Sequence, residues 1–225
     1  MANPVLLLHG FTGSVSSTWK PTGLIDLLQE AGREVIAIDL PGHGTAVKHH
    51  DPKAYADMEQ QLVDELPEGM IDGVGFSMGA RTLLCMAAIA PQKFGKLVVA
   101  GVGRNLFERD EAQAERIARG VQGEADPGDV HAQTFARYAA EADQDGQALA
   151  AFMRRKHYPL GESEFRLITH PVRVVLGTED FAGPADPLLE CLSNSVLTEL
   201  RGCDHFATPK NFGFIDAVLD HLEAF

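Results

Sequence analysis

Ile71-Asp72-Gly73-Val74-Gly75-Phe76-Ser77-Met78-Gly79-Ala80-Arg81-Thr82-Leu83-Leu84-Cys85-Met86-Ala87-Ala88-Ile89-Ala90 is the stretch on which the fold turns. Residues 71–76 read as a short apolar strand, and 78–90 as a strongly apolar and therefore central helix. Gly75 and Gly79 flank Ser77 where the two meet. A turn this sharp crowds its neighbours, and glycine on each side relieves the crowding so that strand and helix can approach.

The same rhythm extends in both directions. Apolar runs predict further strands at 5–9, 34–39, 96–100, 172–176 and 195–200. Several are apolar at consecutive positions, as strands buried on both faces are. Amphipathic helices are predicted between them at 21–29 and 54–65, and at the end at 214–225, where Ile215, Val218, Leu219 and Leu222 share a face. Alternating strands and helices predict a mostly parallel sheet of about six strands with flanking helices. Residues 105–170 break the alternation. They carry no convincing strand, only alanine-rich helical stretches at 110–119, 129–141 and 145–156, punctuated by Gly120, Gly123, Pro127, Gly128 and Gly146. The expected organisation is one α/β core, residues 1–104 and 171–225, with a helical insertion at 105–170.

Bulk properties narrow the partners. A chain of 225 residues with 45% hydrophobic and 23% charged residues fits one globular domain rather than a disordered segment. Its formal net charge of −13 repels phosphate backbones and anionic lipid, so neither nucleic acid nor a membrane surface is an expected partner. Cys85, Cys191 and Cys203 are odd in number and widely spaced, which does not suggest a disulfide framework. The apolar run at residues 5–8 follows no basic leader and is too short for a signal peptide or a membrane span, so a cytoplasmic location is expected.

The candidate chemistry starts from Ser77. A serine hydroxyl is a weak nucleophile until a base takes its proton, and the base needs a carboxylate to orient it. On a strand–turn–helix of this kind the expected chain order is serine, acid, histidine. The strand at 172–176 runs into Gly177-Thr178-Glu179-Asp180, which offers Asp180, with Glu179 as the alternative. The strand at 195–200 runs into Arg201-Gly202-Cys203-Asp204-His205, which offers His205. His49, His50, His131, His157 and His221 read as surface residues. The first strand ends in His9-Gly10-Phe11-Thr12-Gly13-Ser14, a loop able to aim a backbone amide at a developing oxyanion. The amides of Phe11 and Met78 are the expected donors, and His9 is expected to brace the loop.

The set His9-Gly10-Phe11, Asp39-Leu40-Pro41-Gly42-His43-Gly44, Gly75-Phe76-Ser77-Met78-Gly79, 177–180 and Asp204-His205 resembles the α/β-hydrolase superfamily, in family order and across nearly the whole chain. The resemblance implies an α/β-hydrolase fold with 105–170 as its helical cap. It also implies hydrolysis of an ester or related acyl substrate through an acyl-enzyme, with no metal or organic cofactor. A serine at the turn argues against the epoxide hydrolases and haloalkane dehalogenases of this fold, which use aspartate there. The Pro41-Gly42-His43-Gly44 turn looks structural. Members usually carry two further strands before the oxyanion loop. The strand at 34–39 is therefore expected at an exposed edge, and a second copy of the chain or a loop is expected to cover it.

Two other readings stand beside this one. Arg81 and the segment 108–119 resemble the succinyl-hydroxy-cyclohexadiene-carboxylate synthases of menaquinone biosynthesis, lyases that use the same triad as a base. Phe76 departs from the tyrosine usual there. Their anionic substrate would need cations, for which Arg81, Arg104, Arg154 and Arg155 are candidates. Other proteins of the fold only bind ligands, usually after losing a triad member, and this chain keeps all three. Over Ser77, the cap residues Phe107, Phe135, Tyr138, Phe152, Met153 and Tyr158 are candidates to line the pocket, with Arg81, Phe152 and Tyr158 as the substrate-binding set.

Overall fold

Six strands form the centre: β1 (Val5–Leu8), β2 (Val35–Ile38), β3 (Ile71–Phe76), β4 (Phe94–Ala100), β5 (Val172–Gly177) and β6 (Ser195–Leu200). The computed structural model describes residues 2–108 and 110–225. All neighbouring strands run parallel, in the order β2-β1-β3-β4-β5-β6. As the sequence predicts, β2 lies at one edge; β6 lies at the other.

Alternation along each strand divides the core. Val5 and Leu7 of β1, with Val74, Val98 and Val175, face α1 (Leu24–Glu30) and α9 (Phe212–Leu222). Leu6 and Leu8, with Leu97, Val99 and Val174, face α2 (Met58–Glu65) and α3 (Met78–Ile89). Strands apolar on consecutive positions thus bury both faces, which is why the central ones carry little polarity.

The helices between β4 and β5 are α4 (Glu111–Arg119), α5 (Val130–Glu141), α6 (Gly146–Met153) and the short α7 (Glu162–Phe165). Asp110, Asp129 and Asp145 cap α4, α5 and α6 by accepting from backbone amides of the first turn. A further short helix, α8 (Asp186–Cys191), follows β5 and was not expected from the pattern. Where limits differ from expectation, local chemistry explains it. β4 begins at Phe94 rather than 96, and the Lys96 amide donates to Asp72 Oδ1 at 2.8 Å. α9 begins at Phe212 because Asn211 caps it, and ends at Leu222 because Glu223 turns to φ +54°. Among the described residues, no helix is long and apolar enough to cross a membrane.

Candidate active site

Ser77 sits between β3 and α3 with φ +55° and ψ −114°, a conformation that an L-residue rarely adopts. Two glycines make the turn sterically feasible. A Cβ on Gly75 would lie 2.6 Å from Ala80 Cα, and one on Gly79 would lie 2.2 Å from the Leu8 carbonyl oxygen. The serine is half-buried at the carboxyl end of the sheet.

The loop after β6 brings His205 to it. Ser77 Oγ and His205 Nε2 are 2.9 Å apart, and His205 Nδ1 lies 2.9 and 3.0 Å from the two Asp180 oxygens. The geometry fits a hydroxyl donating to Nε2 and an Nδ1–H donating to the carboxylate. Asp180 and not Glu179 makes this contact; Glu179 is exposed on the same turn. Asp180 Oδ1 also accepts from the Ala182 amide at 2.8 Å, which holds the carboxylate in place. His205 and Asp180 are 2% and 8% exposed, so little water competes for these bonds. Three rings surround the imidazole: Phe181 at 4.3 Å, Phe76 at 5.0 Å and Phe206 at 5.4 Å between centroids. Such an arrangement can move a proton from the hydroxyl to the imidazole.

The loop after β1 lies alongside. A Cβ on Gly10 would stand 2.9 Å from the Phe76 ring and 3.4 Å from Ser77 Cβ. Neither the Phe11 nor the Met78 amide donates to a backbone acceptor among the described residues. His9 is fully buried; its Nε2 accepts from the Leu40 amide at 3.0 Å, so its Nδ1–H donates to the Gly10 carbonyl at 2.8 Å. Burial lowers the His9 pKa and keeps the ring neutral. His43 Nδ1 donates to the Pro41 carbonyl at 3.1 Å; burial, with His9 nearby, takes its pKa well below the usual value. Asp39 joins the loops after β1 and β2 by accepting from the Val15 and Thr45 amides, each at 2.7 Å. Burial opposes its charge, yet these hydrogen bonds outweigh it and lower its pKa.

Two cavities flank the centre. One, of about 300 Å³, is walled by Gly10, Phe11, Phe76, Tyr138 and Phe206. The other, of about 900 Å³, is a wider cleft on the side of Arg81, Tyr158 and Phe181. Of the expected pocket residues, Tyr138 lines the first cavity, and Met153 and Tyr158 the second. Phe152 corrects the expectation. It is 1% exposed, edge-on to His43 and Tyr55 with the Arg155 guanidinium 3.7 Å over its ring, so it packs the helical segment onto the core and faces neither cavity. Phe107 is peripheral, 39% exposed and stacked on Phe165, and Phe135 packs between Phe11 and Phe206.

The arginines at the wider cleft are engaged. Arg81 Nη2 donates to the Tyr158 carbonyl at 2.6 Å, Arg104 faces Glu108 at 3.5 Å, and Arg154 binds Glu115 at 2.7 Å. Arg155, buried to a pKa of about 10, lies 3.6 Å from the equally buried Glu59. In the segment 108–119, residue 109 lies outside the described residues. The sequence leaves two contributors unmarked: Phe181, which follows Asp180 directly, and Glu59, an acid among the apolar positions Met58, Leu62 and Val63 of α2.

Comparison with known proteins agrees with this architecture. The chain is 33% identical over 109 residues to an esterase of Mycobacterium tuberculosis, covering 47% of this chain and 35% of that protein. It is 31% identical over 118 residues to an esterase of Escherichia coli, covering 48% and 43%. The chain thus spans less than half the length of these curated relatives. An alpha/beta hydrolase enzyme from a Medee basin deep-sea metagenome library superposes with a TM-score of 0.74 at 17% identity, over 100% of this chain and 90% of that one, a likeness of fold. A family profile described as alpha/beta hydrolase fold matches residues 3–167, and on this match and the parallel sheet the chain belongs to the alpha/beta hydrolase fold family.

Proposed function

We propose that the chain is a serine hydrolase that cleaves a carboxylic ester or related acyl substrate through an acyl-enzyme. The observation that carries this reading is the continuous chain from Ser77 Oγ through the His205 ring to Asp180, with contacts of 2.9, 2.9 and 3.0 Å. Ser77 attacks the carbonyl carbon while His205 Nε2 takes its proton, and Asp180 stabilises the imidazolium that forms. The amides of Phe11 and Met78 receive the negative charge on the former carbonyl oxygen. His205 then gives its proton to the leaving alcohol, and water, activated by the same imidazole, releases the acid from Ser77. The esterase names of the two relatives favour this chemistry.

The cavity beside Phe11 and Phe76 indicates a compact substrate. At about 300 Å³, with Tyr138 and Phe206 among its walls, it suits a small apolar or aryl group. The helices α4–α6 act as a cap that limits its size. An anionic substrate is less well served, because Arg81, Arg104, Arg154 and Arg155 already face carboxylates or a carbonyl.

A series of aryl esters of rising acyl length tests the proposal. Short acyl chains are expected to turn over fastest, and Ser77→Ala should lower kcat/KM by about 10⁴-fold or more. Equal rates from the wild type and Ser77→Ala would overturn the assigned chemistry.

A further inference from the structure

We infer that Gln144, on the corner between α5 and α6, is a positioning residue that sets the aim of the Phe11 amide. The inference rests on the proposed role of Ser77 and of that amide.

The Gly10 carbonyl and the Phe11 N–H belong to one rigid trans peptide, so fixing the first directs the second to the opposite side. Two donors fix the Gly10 oxygen: His9 Nδ1 at 2.8 Å and the Gly13 amide at 3.0 Å. Gly13 is held in turn from across the molecule. Gln144 Nε2 donates to the Gly13 carbonyl at 3.2 Å, and Gln144 Oε1 accepts from the Gly44 amide at 2.9 Å. One carboxamide therefore ties the loop after β1 to the turn after β2. Glutamine suits the task because it carries a donor and an acceptor on a single planar group. A glutamate would still accept from Gly44 but would set an oxygen against the Gly13 carbonyl.

The backbone that presents this side chain is itself constrained. The Gln144 amide donates to the Ala139 carbonyl at 2.9 Å and the Asp143 amide to the Ala140 carbonyl at 3.1 Å, with Asp143 at φ +50°. These are the two bonds of a Schellman motif closing α5. The next residue, Asp145, caps α6 through the Gln147 and Ala148 amides at 2.9 and 3.0 Å. Gln144 thus stands between two fixed helix ends, and the geometry of the helical segment is passed on to the Gly10–Phe11 peptide.

The test compares wild type, Gln144→Ala, Gln144→Glu and His50→Ala on one aryl ester, with an arylboronic acid as a tetrahedral probe of the oxyanion site. His50 binds Asp145 at 2.9 Å in an exposed contact, so His50→Ala removes a bond beside the same corner while both helix caps and the Gln144 bonds to Gly13 and Gly44 stay in place. Both Gln144 variants are expected to lose about tenfold in kcat and a similar factor in boronate affinity, with KM held within about twofold. His50→Ala should stay within about twofold of wild type in all three. Gln144→Glu preserves side-chain shape, so the result does not depend on Gln144→Ala folding. Wild-type kcat in Gln144→Glu, or an equal loss in His50→Ala, would overturn the inference. Ser77→Ala run in the same assay separates the two failures: undiminished turnover there removes the underlying reading, whatever Gln144 does.

Discussion

Ser77 holds a backbone conformation that costs on the order of 1–3 kcal/mol, and the glycines around it determine whether that conformation can persist. Gly79 has two neighbours that matter. A Cβ there would meet the Leu8 carbonyl at 2.2 Å and the His9 carbonyl at 2.6 Å. The bare backbone at 79 is therefore what lets the start of α3 lie against the end of β1. Gly79→Ala is expected to destabilise by about 3 kcal/mol or more, read by urea denaturation, because the obstructing atoms are backbone and cannot swing aside. The surviving folded fraction should also hydrolyse esters more slowly, since strand and helix can relieve the clash only by separating. A variant as stable and as active as wild type would show that α3 and β1 can part at this point without cost. The G-x-S-x-G spacing was readable at this scale because each of its residues answers a local steric demand. Asp180 was less so: the sequence offered two adjacent acids, and only the direction of the turn after β5 separates them.

Elements were legible to the extent that their boundaries carry local chemistry. The strands 71–76 and 195–200 match their expected limits, and α3 ends one residue early. The helix predicted at 54–65 narrows to Met58–Glu65 because Pro52–Tyr55 forms a separate tight turn capped by Asp51. The partner of each helical face was not legible. Periodicity marks Phe152 as apolar-facing, but it cannot say that His43, Tyr55 and Arg155 close over it. Gln144 lay equally beyond reach, since nothing local marks a polar loop residue whose partner is 131 positions away. The α5–α6 corner carries a prediction of its own. Asp143 occupies the left-handed position of the Schellman motif, where glycine is free of Cβ strain. Asp143→Gly should raise stability by about 0.5–1 kcal/mol without altering kcat. Thermal melts and ester turnover on the same preparation check both halves, and a destabilised variant would mean that the aspartate side chain contributes more than its backbone strain removes.

At the scale of the whole molecule, the centre is assembled where loops from distant parts of the chain cross, and buried histidines stand at that crossing. His9 joins the loop after β1 to Leu40, and His43 lies 5.3 Å from it, beneath Phe11 and Phe152. Both are fully buried with pKa values depressed by burial, His43 the more strongly. In the unfolded chain each takes up a proton near pH 6.5, whereas in the folded chain each resists it until lower pH. The unfolded state thus binds more protons below about pH 6.5, so stability is complete above that value and declines as pH falls toward the folded pKa values. Each histidine gives a slope of about 1.4 kcal/mol per pH unit once the unfolded form is protonated and the folded form is not. The expected result is a urea midpoint that is flat from pH 8 to 7 and drops from pH 6.5 to 5. The carboxylate Asp39, whose pKa is also depressed, adds its own loss only below about pH 4. His43→Gln retains a donor for the Pro41 carbonyl and removes one titrating group, so its slope between pH 6.5 and 5 should be shallower than wild type, whatever its absolute stability. Identical slopes in the two proteins would show that acid enters elsewhere, and that these rings do not set the lower pH limit of the fold.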